Sequence, residues 1–224
     1  MGQHETICWG FAPGPLPRVI LIMKTTQRAV IRWFIAQVHW AVPSNLSYFM
    51  EGRCDGKRYR KYSSELAEML KVKDREIRLK KIRNQDGRHA YTLDAKALPT
   101  FGFNHDVCLR DVVGKFLNSR GPAEVTFAKP ADARILRYSI ELDNGHMDDS
   151  QLEEKLRKHY LDSEGQVIFI MRHREFPHLE ARRLKKVFDI SARVFPTKPN
   201  KVLGACYHQY LEDGIFYNRR GQQR

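Results

Sequence analysis

Residues 132–160 read DARILRYSIELDNGHMDDSQLEEKLRKHY, and the fold of the chain turns on this stretch. Asp132 stands ahead of an apolar alternating segment, Glu141 and Asp143 close that segment, and Lys155 stands on the helix that follows. Residues two apart on a strand point to the same side, so a strand through RYSIEL puts Glu141 and Asp143 on one face. Ser150 and Glu153 have the spacing of a capping box ahead of Leu152, Leu156 and Tyr160, which predicts a helix starting near Asp149. On that helix Gln151 and Lys155 share a face. Acid, strand, acid-x-acid, helix with Lys, then the apolar strand QVIFIM is the order that metal-dependent phosphodiester cleavage needs. The carboxylates would hold a divalent ion, and the cation would stand near the attacking water or the scissile phosphate. Read by themselves, Glu141 and Asp143 are equally compatible with surface carboxylates leading into an Asn-Gly turn.

Outward from this stretch, the segments alternate between strand and helix. Upstream, residues 105–117 (HDVCLRDVVGKFL) have helical spacing and AEVTFA is strand-like; the run from Ala133 to Leu142 is expected as one strand. Downstream, QVIFIMR reads as a strand buried on both faces and HLEARRLKKVFDISARVF as a helix. The tail VLGACYHQYLEDGIFY contains an Asp-Gly turn that predicts a closing hairpin. Residues 103–224 are therefore expected to form an α/β domain with a mixed central sheet. Within it His105 reads as a helix cap, Asp111 is equally often a solvated side chain as a site acid, and Tyr160 reads as core.

The first part of the chain has a different pattern. Residues 1–22, which contain GFAPGPLPR, are expected to be a flexible extension. Residues 23–97 hold three helical segments: Thr25 to His39, one beginning at Pro43 or Ser44, and KRYRKYSSELAEML. The strand-like REIRLKKI and RHAYTL follow, joined through an Asp-Gly turn. Three helices and a basic hairpin read as a winged helix, folding independently over about 25–95 and making the chain α+β overall. Arg58, Arg60 and Lys61 open the third helix, and Arg78, Lys80, Arg83 and Arg88 decorate the hairpin, so these side chains are the expected DNA contacts. Residues 53–83 carry twelve Lys and Arg against the acids Asp55, Glu65, Glu68, Asp74 and Glu76. A solvated face mixes signs more evenly.

Net charge points the same way. The 224 residues carry a formal charge of +13, which favours a polyanionic partner because each cation placed on a phosphate releases counterions. No apolar run approaches the ~20 residues that a membrane span requires, and the expected location is the cytoplasm. Cys8, Cys54, Cys108 and Cys206 show no C-x-x-C spacing, which argues against a zinc site or a disulfide framework. No G-x-x-x-x-G-K-[ST] or G-x-G-x-x-G occurs, so no nucleotide cofactor is expected.

The strings KPADARI, IELDNG and LEEKLRKHY, with FNHDVCLRDVVGKFL upstream, resemble the PD-(D/E)XK nuclease superfamily. More closely they resemble the plasmid and phage replication-relaxation family, whose members join a winged helix to such a nuclease-like domain. Ala131 separates Pro130 from Asp132, and Asp143 stands where the superfamily has its strand Lys, so the matching Lys is Lys155 on the helix. The resemblance implies that Asp132, Glu141 and Asp143 hold Mg2+ or Mn2+ and that Gln151 and Lys155 complete the catalytic set. It also implies double-stranded DNA as substrate or ligand and a replication or mobilisation protein as partner. Two functions agree with it: an endonuclease of a plasmid, phage or other mobile element, or a non-catalytic regulator of replication, copy number or transcription.

Overall fold

A computed structural model describes residues 24–73, 78–84, 86–94, 102–173 and 177–224. The expected extension over 1–22 and most of the link KALPTFGFN lie outside the described residues. Three helices come first: α1 (Lys24–Val38), α2 (Pro43–Glu51) and α3 (Gly56–Leu70). In α1, Ile31, Phe34, Ile35 and Val38 recur at helical spacing and are buried. Pro43 opens α2 at a position where its missing N–H costs nothing, and Gly52 ends it in the left-handed region at φ 67°. The Asp55 side chain caps α3 by accepting the Arg58 N–H at 2.8 Å, and Tyr62, Leu66 and Met69 form its buried face. Strands β1 (Lys80–Arg83) and β2 (His89–Thr92) then pair antiparallel, and Ala41 bridges Tyr91 on β2.

The second part runs α4 (Phe103–Arg120), β3 (Val125–Thr126), β4 (Ala133–Ile135), β5 (Tyr138–Asp143), α5 (Asp149–Tyr160), β6 (Gln166–Met171) and α6 (Pro177–Val194). It closes with β7 (Val202–Cys206), α7 (Tyr207–Asp213) and β8 (Tyr217–Asn218). The six strands lie in sequence order in one mixed sheet; β5, β6 and β7 are parallel, and the other pairings are antiparallel. Ile140, Leu142, Ile168, Ile170, Leu203 and Ala205 join the core that contains α4. Val167, Phe169, Met171 and Val202 join Leu152, Leu156, Val187 and Ile190 of α5 and α6. The sheet is thus covered by helices on both faces, and β6 is buried on both, as its unbroken apolar run predicts.

Three expectations change. The run from Ala133 to Leu142 is a hairpin, not one strand: the chain turns at Leu136, which takes φ 54° and is 72% exposed. Apolar character hides this turn, because Leu136 reads as a strand residue while its side chain faces solvent. The tail places the helix α7 between β7 and β8, where a hairpin was expected. Third, the core of residues 25–95 is continuous with that of the second part. Phe34, Leu46 and Leu66 belong to the same cluster as Val112, Phe116 and Ile140. Helix α4 is buried on nearly all sides, and Gly114 lets α2 approach it so closely that a Cβ there would lie 2.8 Å from the Asn45 carbonyl oxygen.

Among the described residues, no helix is long and apolar enough to cross a membrane.

Candidate functional site

Strand β5 brings the acids together. Ile140 and Leu142 take the α4 face, so Glu141 and Asp143 project toward α5 and α6, where both are buried. The pairing of Ala133 with Ile140, extended by one residue, puts Asp132 opposite Glu141. Its Oδ2 accepts the Leu142 N–H at 2.9 Å.

Each of these carboxylates meets a cation. Lys155 Nζ lies 2.6 Å from Glu141 Oε2, and the Tyr160 hydroxyl donates to Glu141 Oε1. Asp143 accepts from Arg183 Nε at 3.0 Å and from the Gly145 N–H at 2.7 Å. Arg183 also donates to the Met147 carbonyl, which ties α6 to the loop after β5. His105, on the first turn of α4, places Nε2 3.0 Å from the Leu142 carbonyl and 3.7 Å from Asp132 Oδ2, with Nδ1 3.4 Å from Asp106.

The protonation states follow from these contacts. Both His105 nitrogens face oxygen acceptors, which favours the imidazolium. The bonds to Asp106 and Asp132 outweigh burial and push its pKa up to about 10. Burial alone would raise Asp132, but His105 and the Leu142 N–H more than offset it and hold the carboxyl below its usual range. Glu141 is pushed up to about 7 by burial and then by Asp132, with Lys155 and Tyr160 opposing.

A magnesium or manganese ion needs carboxylate oxygens that converge and retain room for water. Here Asp132 is engaged by His105, Glu141 by Lys155 and Asp143 by Arg183. Among the described residues, no three His, Cys, Asp or Glu side chains converge to hold a metal ion. Each carboxylate that the sequence offers as a metal ligand thus has a basic side chain beside it.

Gln151 belongs to a cap. Its N–H donates to Asp148 Oδ1 at 2.8 Å and its Oε1 accepts the Asp148 N–H at 3.1 Å. The box is Asp148 with Gln151, two residues ahead of the expected Ser150 with Glu153, because Asp148 takes the N-cap position and Glu153 pairs with Arg157 at 2.9 Å. Asp111 is also not solvated: it is buried, accepts from Asn45 Nδ2 at 2.7 Å and from the Tyr207 hydroxyl at 3.2 Å, and is pushed up to about 7 by burial. Tyr160 is core, as expected, and also a donor to the site. Arg183 was missed because the run ARRLKK reads as a solvated helix face, and His105 was misjudged because its approach to β5 is purely tertiary.

The expected DNA contacts fall into two groups. Arg58 lies 2.6 Å from Glu51 and also pairs with Asp55, while Lys61 lies 2.6 Å from Glu51. Arg88 donates to Asn104, and Arg83 Nε lies 3.5 Å from His89 Nδ1. Arg60, Arg78 and Lys80 are exposed. Comparison with protein-family models, curated proteins and solved structures finds no match, so the family resemblance rests on the short motifs alone.

Proposed function

We propose that this chain binds double-stranded DNA through α3 and the β1–β2 hairpin, and that its nuclease-like sheet body is closed to metal-dependent cleavage. In support, α2 and α3 pack together across the short Gly52–Asp55 turn and the β1–β2 hairpin follows α3, the element order that a helix-turn-helix with a wing requires.

One observation carries the reading. Every described acid between residues 51 and 83 is engaged: Glu51 by Arg58 and Lys61, Asp55 by Arg58, Glu65 by Arg28 and Glu68 by Lys71. Lys57, Arg60, Arg78, Lys80, Lys81 and Arg83 are exposed and have no acidic partner among the described residues. Lys57, Arg60, Lys61 and Ser64 share one face of α3, opposite Tyr62, Leu66 and Met69. Cations left over after internal pairing are what phosphate contacts require.

The acid–base pairs at β5 support a docking or regulatory role over cleavage, since a hydrolytic site needs carboxylates available to a metal-bound water. We place the protein in the cytoplasm, acting in replication or maintenance of a plasmid, phage or other mobile element, with a replication or mobilisation protein as partner. Supercoiled plasmid incubated with the full chain and Mg2+ or Mn2+ tests this directly. Retarded plasmid that returns to the supercoiled form after protein removal is the expected result. Nicked or linear product that Asp143→Ala abolishes would replace the regulator with an endonuclease.

A further inference from the structure

Helix α6 carries a second set of cations. Arg182, Lys185 and Lys186 lie on its exposed side, one turn apart along the helix. Arg182 and Lys185 have no acidic partner among the described residues, and Lys186 has only a loose contact at 3.6 Å with the half-exposed Asp149. Arg182 and Lys186 also line a cleft of about 210 Å3, together with Arg183 and Gly145. That volume, below the ~300–1,000 Å3 of small-molecule sites, is enough for a phosphate-sized group. Among the described lining residues the acid is Glu180, which is buried and accepts the His173 N–H at 3.0 Å. The cleft lies beyond the carboxyl end of β6, next to Met171 and Arg172, where open α/β sheets bind ligands.

This face is remote from α3. Helix α3 packs on α2 and α2 on α4; α4 covers one face of the sheet, and α6 covers the other. Four packing steps of ~8–10 Å each therefore lie between the two basic faces, up to about 35 Å if the layers stack in line.

We propose that the exposed side of α6 is a second DNA-binding face, so that one molecule of this chain holds two duplex segments. Arg182 and Lys186 would take backbone phosphates at the cleft, Arg182 through its planar fork, and Lys185 would extend the contact along the helix. The inference rests on the proposed binding of DNA at α3, and the test separates the two.

Beads carrying a tethered duplex are loaded with the full chain, washed, and offered a free fluorescent duplex. The expected result is capture of the free duplex by the loaded beads. Arg182→Ala/Lys185→Ala/Lys186→Ala should lower capture tenfold or more while leaving protein retention on the tethered duplex within about threefold; these side chains are exposed, and circular dichroism checks the fold. Capture by the triple variant equal to that of the unaltered chain would overturn the proposal and point to bridging by a pair of α3 faces. Retention without capture by the unaltered chain would also overturn it, leaving the α3 reading intact. No retention at all would refute both.

Discussion

The Lys155 ammonium lies 2.6 Å from the Glu141 carboxylate, a group only 1% exposed at the centre of the sheet. The charge that the sequence offers as a catalytic cation is held against the acid that the sequence offers as a metal ligand. The pair holds a buried carboxylate against a partly exposed ammonium, and this contact has measurable consequences.

Lys155→Met leaves Glu141 buried without its cation, and removing one partner of a buried pair costs roughly 3–5 kcal/mol. Because Lys155 is partly exposed, a loss of about 2–3 kcal/mol is expected by urea denaturation near pH 8. Glu141 is already held at about 7, and losing the lysine raises it further. Below about pH 7 Glu141 is protonated in both folded proteins, so this part of the penalty develops only as pH rises above 7 toward the variant's higher folded pKa, and fades below 7. Glu141→Gln together with Lys155→Met should recover most of the loss, since no charge is then stranded.

Asp111 provides a second pH signature. Burial holds its carboxyl at about 7 against an ordinary 3.8, so the folded state keeps a proton that the unfolded chain releases between those values. Its contribution to stability falls as pH rises across that window and stays low above it. Asp111→Asn keeps an acceptor for Asn45 and removes the charge. A gain of ~2 kcal/mol near pH 8, fading toward pH 4, is expected from denaturation midpoints; a gain independent of pH would contradict the assignment.

Gly114→Ala tests the shared core. The added methyl would meet the Asn45 carbonyl at 2.8 Å and the Phe49 nitrogen at 3.1 Å, both backbone atoms that cannot rotate away. Overpacking of this kind costs about 1–3 kcal/mol. Since α2 and α4 share one cluster, thermal unfolding of the variant should remain a single transition at lower temperature, whereas two separated transitions would show two independent cores.

Calorimetric titration of the full chain with Mn2+ is expected to show no saturable binding that Glu141→Gln or Asp143→Asn weakens. The pairs with Lys155 and Arg183 already neutralise both acids, so an entering ion would have to break them.

What was legible in the sequence is what local periodicity controls. The two-residue period of a strand placed Glu141 and Asp143 on one face, and the Leu152, Leu156, Tyr160 spacing located α5. Alternation of strands and helices indicated the mixed sheet. Illegible were features set by contacts distant in the chain. Arg110 and Lys115 look like surface residues of α4, yet both are buried. Lys115 Nζ donates to the Gly52 carbonyl at 2.7 Å and the Glu212 carbonyl at 3.0 Å, and Arg110 lies 3.7 Å above the Trp40 ring. No pattern within a helix announces partners that lie on α2, α7 or the α1–α2 connection. The same holds for His105 and Arg183, whose roles exist only once α4 and α6 close on the end of β5.

The central claim is that cations left over on α3 and the hairpin bind duplex phosphates. The most direct measurement is the salt dependence of duplex affinity, by fluorescence anisotropy, for the full chain and for Lys57→Ala/Arg60→Ala/Lys80→Ala/Lys81→Ala. The account predicts tenfold or greater weakening of the unaltered chain between about 50 and 200 mM salt, and a log–log slope that falls by ~0.9 for each phosphate contact the variant loses. Equal slopes for the two proteins, or binding that salt does not affect, would contradict it.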